Sequence, residues 1–255
     1  EAGILALAIL IPYALILDEA PVRQRLQALA PYAAVAACWR AIYALNDFAS
    51  AKSGMYADPL GEPARFARHV LEQFPIYLGS TLLAVPADPF LFFGPTKYWI
   101  GWTVSLVSAL VLLFCLRDFL RRDKFARFFL LVTLLGAGPA CAAFINDRLL
   151  MVAQIGGCGL AARFLVTAFQ ERPDAWRRPV VVTLVLCHLV IAALLLPVRT
   201  MTMDWVFGRH QRAMFSTLSA MTEAHGRVVV LVNTPEMITA LTPSLALQRH
   251  WLDAE

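Results

Sequence analysis

The sequence predicts a mainly α-helical membrane protein, a polytopic transmembrane bundle of about six spans followed by the start of a small α/β extramembrane domain. Composition is the first reason. Hydrophobic residues make up 59% of the chain and charged residues 16%, whereas soluble domains are about half apolar and about a quarter charged. The second reason is that the apolar residues form runs of about 17–22 residues, the length that a helix needs to cross a bilayer.

Short charged segments separate the apolar runs, and lysine and arginine concentrate in every second one. The loops after the first, third and fifth runs are basic, whereas the turn between the fourth and fifth carries only Arg148. Positive residues favour the cytoplasmic side of a membrane, so we expect these three loops there and the remaining segments outside. The runs are 2–17, 26–45, 98–116, 128–145, 149–169 and 179–198.

This pattern predicts two regions. Residues 1–199 form the transmembrane region, with an outer interfacial segment at 46–96, and residues 200–255 form a partial extracytoplasmic domain. The net charge of +4 follows the ends of apolar runs, which indicates membrane topology and not a nucleic-acid partner. We expect an integral protein of a bacterial inner membrane with its tail outside the cytoplasm. Both ends of the sequence are typical of a piece cut from a longer protein.

Segment 63–94 mixes charged residues with apolar residues at helical spacing, which predicts an amphipathic helix along the outer interface. Three prolines then exclude one long straight helix and favour a re-entrant or interfacial hairpin. A further full span at 70–94 is the alternative. The spaced apolar residues are Phe66, Val70, Phe74 and Tyr77, and the prolines are Pro86, Pro89 and Pro95.

The fourth and fifth runs are rich in small residues, which predicts close helix packing. Pro139 is expected to kink the fourth helix near its middle, and a bend that opens a cavity is the alternative reading. In the tail, the β-branched run 228–232 predicts a buried strand followed by a turn and a helix. The small residues include Gly136, Gly138 and Ala140 in the fourth run, and Ala153, Gly156, Gly157, Gly159 and Ala161 in the fifth.

The five cysteines lie inside apolar runs without a CxxC pair. They read as small buried hydrophobes, so neither a disulfide framework nor a metal site is expected. HExxH, GxSxG and Walker-loop patterns are absent from the sequence, which argues against nucleotide-driven transport by this chain.

The strongest candidates for chemistry are polar groups at the outer face. Asp147 and Arg148 occupy a tight turn between two spans, either as a helix cap with a local ion pair or with Arg148 binding a phosphate or carboxylate. Arg40, near the outer end of the second run, either snorkels to the interface or holds an anion in a cavity.

The outer loop 46–62 supplies Tyr56, Asp58 and Glu62. The two carboxylates can bind a divalent cation or act as a base, although their spacing matches no metal signature and a solvated loop is the alternative. No resident cofactor is expected. Two further polar residues lie within spans: Arg163 is expected to snorkel toward the cytoplasm, and His188 to make a hydrogen-bonded helix contact.

Three short motifs carry a resemblance to a known group. They are Ser53-Gly54-Met55-Tyr56-Ala57-Asp58-Pro59-Leu60, Pro86-Ala87-Asp88 and Asp147-Arg148-Leu149-Leu150. With them the chain resembles uncharacterised bacterial multi-pass membrane proteins. That group is similar in architecture to the C-terminal half of the C-type glycosyltransferases, which use a polyprenyl-phosphate sugar donor.

The resemblance implies a lipid-linked sugar as partner and sugar transfer at the outer face. The family's catalytic acid lies in the first outer loop, which is expected upstream of Glu1, so no catalytic residue is assigned. Arg148 and Arg40 are the residues expected to contact the donor phosphate. The alternatives are a transporter or flippase subunit and a non-catalytic membrane assembly protein whose outer tail binds a partner.

Overall fold

The computed structural model describes residues 5–46, 56–171 and 177–203. Regular structure within these ranges is helical, and they contain no strand. By its contacts the chain divides into one unit at Glu1–Ala192 and another at Ala193–Glu255. The α/β domain expected at 200–255 lies almost wholly outside the described residues, so that expectation stays a prediction.

The helices follow the predicted apolar runs, with one addition at 63–83. A π-helical turn, Tyr13–Leu17, follows the first helix, and another, Leu186–Ile191, separates the last two. Short 3₁₀ turns lie at Asp88–Phe92 and Asp147–Leu150. The helices are α1 (Leu7–Pro12), α2 (Val22–Leu45), α3 (Pro63–Leu83), α4 (Pro95–Arg122), α5 (Lys124–Ala140), α6 (Met151–Glu171), α7 (Arg178–Val185) and α8 (Ala192–Met203).

Helices α5 and α6 form a closely packed antiparallel pair. A Cβ atom built on Gly136 would lie 2.7 Å from the backbone nitrogen of Ala153, and one on Gly156 would lie 2.5 Å from that of Thr133. Neither position has room for a side chain, because backbone faces it across the interface. The predicted role of the small residues in close packing is confirmed at these positions.

The prediction that Pro139 kinks the fourth helix near its middle is wrong. Helix α5 ends at Ala140, so Pro139 occupies its last turn and not its middle. A proline there removes a hydrogen bond only from the final turn, and the chain then leaves the helix. The sequence overestimated the length of this helix because the apolar run continues through Ile145 after the helix has ended.

Helix α3, predicted to lie along the outer interface, is buried among other helices over its second half. Its second half, from Gln73 to Leu82, is almost entirely buried between α4, α5 and α6, whereas its first turns are exposed. It runs parallel to α4, because the Tyr98 hydroxyl donates to the Glu72 backbone carbonyl and Gly79 packs against Ser105. The amphipathic first half explains the sequence pattern but not the position of the whole helix.

The chain reverses direction directly after α3. Ala84 adopts the left-handed conformation with φ 54° and ends the helix. Phe90 then packs edge-on against Tyr98, with ring centroids 6.0 Å apart, and covers Gly101 near the start of α4. Residues 84–94 therefore run back toward the start of α4, opposite to the direction of α3. This is a hairpin, as the three prolines predicted; whether it is re-entrant or interfacial stays a prediction.

Side-chain contacts define two ends of the bundle. At the basic end, Lys124 pairs with Glu19 at 2.9 Å and Arg163 pairs with Asp123 at 2.8 Å. At the other end, named here the Asp147 end, the Ala57 N–H donates to the Ala142 carbonyl at 2.7 Å. Helix α5 separates the two ends, and its 17 residues span about 25 Å. Arg163, expected to snorkel toward the cytoplasm, reaches this end and pairs with the carboxylate beside the α4–α5 turn.

Candidate functional site

Asp147 is a buried junction between three parts of the chain. Its carboxylate accepts hydrogen bonds from the Ser80 hydroxyl at 2.9 Å and from the Ala87 N–H at 3.0 Å. Its own N–H donates to the Asp88 carboxylate at 2.8 Å. The side chain is only 6% exposed. The sequence offered a simple turn cap, whereas the structure uses this carboxylate to fasten α3 and the return segment to the α5–α6 turn.

Arg148 lies beside this junction with an exposed side chain. Its backbone N–H donates to the Asn146 side chain at 2.8 Å, which fixes the start of the 3₁₀ turn. Within the described ranges, no hydrogen bond or ion pair of its guanidinium is found. The guanidinium can donate hydrogen bonds to two oxygens of an anion. Because Asp147 anchors the turn, little conformational entropy is lost when the anion binds.

Arg40 and Asp58 contact each other. The Arg40 guanidinium donates to the Asp58 carboxylate at 2.5 Å, and both side chains are less than a third exposed. Burial alone would raise the pKa of Asp58, but the Leu60 N–H and the Arg40 guanidinium outweigh it and hold that pKa below its ordinary value. An anion that binds Arg40 must therefore compete with Asp58, which the sequence alone did not indicate.

The other outer-loop candidates are also engaged. Glu62 pairs with Arg65 at 3.2 Å, so a cation shared by Asp58 and Glu62 would have to displace two arginines. Tyr56 is half-buried at the start of the same loop. No group of three or more His, Cys, Asp or Glu side chains suited to a metal occurs within the described ranges. The rest of this outer loop, residues 47–55, lies outside them.

Aromatic side chains surround the Asp147 end. Trp39 and Tyr43 on α2 lie with ring centroids 5.1 Å apart, and Arg40 lies over the Tyr43 ring. On α4, the Trp102 indole donates to the Leu71 carbonyl at 3.0 Å, and the neighbouring Trp99 is half exposed. Tryptophan and tyrosine concentrate where membrane meets water, so this end has the composition of an interface.

Sequence reasoning missed the polar partners inside α3. Gln73, Tyr77, Ser80 and Thr81 are buried, although the sequence around them is apolar. Their spacing of four, three and one residues places them along one side of a helix. That spacing was the available signal, since polar residues at helical period within an apolar segment indicate a helix buried among other helices.

The apolar helices expose most of their surface. The four that are long and apolar enough to cross a membrane have between 0% and 44% of their apolar windows buried. Leucine, valine and isoleucine side chains left outside this bundle need an apolar solvent. These features define the class as a helical integral membrane protein. The four helices are Val22–Leu45, Pro95–Arg122, Asp147–Glu171 and Arg178–Met201.

Comparison with known proteins adds no relative. No protein-family model, no curated protein and no solved structure matches the chain.

Proposed function

We propose that the chain is the membrane region of a glycosyltransferase-like protein that receives a sugar from a polyprenyl-phosphate carrier at the outer membrane face. Arg148 carries the proposal, because its exposed guanidinium lies on a turn held by Asp147. A planar guanidinium suits the paired oxygens of a phosphate. On this proposal the membrane is a bacterial inner membrane.

Arg40 provides a second contact for the same headgroup. It lies on α2, which has no buried residue along its length. A lipid can therefore approach this helix from the bilayer, with its phosphate at the level of Arg40 and Tyr43. The phosphate would replace Asp58 as the partner of Arg40, and the released Asp58 would face the headgroup.

The topology that accompanies this proposal has six crossings and one re-entrant helix. Four crossings are the long apolar helices, and α5 and the shorter Leu7–Leu17 helix supply the other two. Two features of α5 support this count. It packs along α6, which is long enough to cross, and its 17 residues span about 25 Å, close to the hydrocarbon thickness of about 30 Å. The basic end is then cytoplasmic, and Arg148 lies outside.

A binding measurement tests the role of Arg148. The protein in lipid nanodiscs is titrated with a polyprenyl phosphate and with the uncharged polyprenol. We expect Arg148→Ala to weaken phosphate binding about tenfold, equivalent to about 1.4 kcal/mol, and to leave polyprenol binding unchanged. Arg68→Ala is the matched control, because Arg68 is also an exposed arginine and already pairs with Glu72.

Equal binding of the phosphate by wild type and Arg148→Ala would remove the observation on which the proposal rests. If binding changes as expected, transfer of labelled sugar from the lipid carrier in membranes that contain the protein is measured next. Loss of transfer in Arg148→Ala with retained insertion supports the enzyme.

A transporter or flippase subunit is the second candidate, and the re-entrant helix α3 favours it. Helices that end inside a bundle are common in secondary transporters, where their ends meet the substrate near the midplane. Labelled polyprenyl phosphate that crosses proteoliposome membranes without sugar transfer would favour this candidate over the enzyme.

A further inference from the structure

A buried polar row lies along α3 and leads into the bundle. It consists of Gln73, Tyr77, Ser80 and Thr81, each less than a tenth exposed. The Tyr77 hydroxyl donates to Gln73 at 3.3 Å, Ser80 donates to Asp147, and the Thr81 hydroxyl donates to the Tyr77 carbonyl at 2.9 Å. The row begins beside the half-exposed Glu72, near the Asp147 end, and its last member is Thr81.

The inner end of α3 has backbone carbonyls beyond the end of its helical ladder. The N–H groups of Ala84 and Val85 both turn back to the Gly79 carbonyl, so the helical ladder ends there. The carbonyls of the last turn, including that of Thr81, receive no N–H from the helix. The Thr81 carbonyl instead lies against Gly157 of α6, where a Cβ atom would overlap it.

His188 lies next to this end of α3. Both its ring nitrogens are inaccessible and complete no hydrogen bond within the described ranges. The groups that face the imidazole are the carbonyls of Leu184, on its own helix, and Thr81, and no charged side chain of the described residues interacts with it. The imidazole thus faces a backbone carbonyl of the neighbouring helix α3, as the predicted helix contact requires, but neither ring nitrogen completes a well-formed hydrogen bond.

The backbone at His188 is also irregular. It lies in the π-helical turn Leu186–Ile191, inside an otherwise α-helical span. Single π-turns within α-helices occur often at functional sites. An imidazole without a completed hydrogen bond, the carbonyls of the last turn of α3 and an irregular backbone thus meet at one place. Ionisable residues inside a membrane usually have a functional partner.

We propose that His188 is a proton-binding site inside the membrane, reached from the Asp147 end along the polar row. The bound imidazolium donates to the Thr81 carbonyl at the negative end of the α3 dipole. The positive charge of the imidazolium needs more than one hydrogen-bond acceptor in this apolar position. Proton uptake therefore loosens the inner end of α3, so that further carbonyls of its last turn, or water, reach the ring. The site does not depend on the proposed sugar transfer.

Titration of the histidines by nuclear magnetic resonance tests the site. The ring nitrogens of the protein in nanodiscs are followed from about pH 8 to about pH 5, the range in which imidazole normally titrates. We expect one titrating imidazole of the wild type to be missing in His188→Asn and retained in His69→Asn. His69 is the matched control, because its Nδ1 is also buried without a partner.

Hydrogen exchange at the inner end of α3 gives a second readout. After correction for intrinsic rates, exchange of backbone amides 76–86 is expected to rise severalfold at the lower pH in the wild type and in His69→Asn, but not in His188→Asn. Helicity in nanodiscs shows that each variant folds, and His188→Gln replaces the asparagine variant if that one does not insert. A His188 signal that stays neutral throughout, or exchange that responds equally in all variants, overturns the proposal.

Discussion

At the scale of single residues, Asp147 carries an unusual share of the tertiary hydrogen bonds. Its carboxylate satisfies the Ser80 hydroxyl and the Ala87 N–H, both of which are buried. Buried donors that lose their acceptor cost more than the bond contributed, since neither water nor another group replaces it. The return segment therefore depends on this one side chain.

Asp147→Ala is expected to lower the free energy of unfolding by about 2–4 kcal/mol, because two buried donors lose their acceptor. Asp118→Ala is the control. The Asp118 carboxylate lies 3.7 Å from Arg117 and 3.9 Å from Arg121 at a partly exposed position, so its loss should cost less than about 0.5 kcal/mol. Denaturant unfolding in micelles measures both, and similar losses for the two variants would contradict the role of Asp147.

The Arg40–Asp58 pair predicts a pH dependence of stability. Because the pKa of Asp58 is lowered in the folded protein, its contribution is fully present above the ordinary aspartate value of about 3.9 and is lost as the pH falls through the lowered value. We expect this partly exposed pair to contribute about 1 kcal/mol to the free energy of unfolding. Unfolding of wild type and Asp58→Asn is compared at neutral and acid pH, and the difference between them should shrink in acid.

At the scale of elements, glycines decide how closely the re-entrant helix approaches its neighbours. Gly157 faces the Thr81 carbonyl, whereas a Cβ atom on Gly138 would meet nothing within 4 Å. The two glycines lie on adjacent helices of one pair, so they separate the effect of packing from the effect of helix propensity.

Gly157→Ala is expected to destabilise the protein by about 1–3 kcal/mol, because backbone atoms of α3 would have to move. Gly138→Ala should be neutral or stabilising by up to about 1 kcal/mol, since alanine favours helix and has room there. Thermal unfolding in the same micelles provides the comparison. An equal effect of both substitutions would show that α3 does not press on α6 at Gly157.

At the scale of the whole molecule, side-chain contacts distinguish two ends of the bundle. The pairs Glu19–Lys124 and Asp123–Arg163 gather the basic segments at one end, and the bond from Ala57 to Ala142 marks the other. Trp39 and Tyr43 on α2 and Trp99 and Trp102 on α4 lie toward the second end, and a polar headgroup region accommodates such side chains.

Cysteine labelling in intact cells tests this arrangement. Leu60→Cys at the Asp147 end should react with a membrane-impermeant maleimide in intact cells. Arg121→Cys at the basic end should react only after the membrane is opened, because the basic loops are expected in the cytoplasm. The wild type, with its own five cysteines, gives the background, and a reversed pattern would invert the proposed topology.

Much of the fold could be predicted from the sequence, for physical reasons that act locally. A helix in a bilayer must satisfy its backbone internally, so long apolar runs predict spans directly. Four of these are long and apolar enough in the structure, while α5 and the Leu7–Leu17 helix fall short of that length. Gly136 and Gly156 were recognised as packing positions, because close approach of two helices excludes any side chain.

The candidate site could be predicted only in part. Arg40, Asp58, Asp147 and Arg148 lie toward the Asp147 end, but sequence reasoning paired neither Arg40 with Asp58 nor Asp147 with Ser80. The pairing of Arg40 with Asp58 joins positions 18 residues apart, and that of Asp147 with Ser80 joins positions 67 apart. Such pairs depend on how the helices pack and leave no local pattern.

The sequence by itself determined that this chain has helices suited to a membrane and which segments form the long ones, because hydropathy acts on each segment separately. Only the tertiary structure decided that α3 enters the bundle, that Asp147 fastens it and that His188 meets its inner end. The reason is that half of α3 is amphipathic and half apolar, a pattern that suits an interface as well as a core. Small residues and polar partners on the other helices decide that α3 packs in the core.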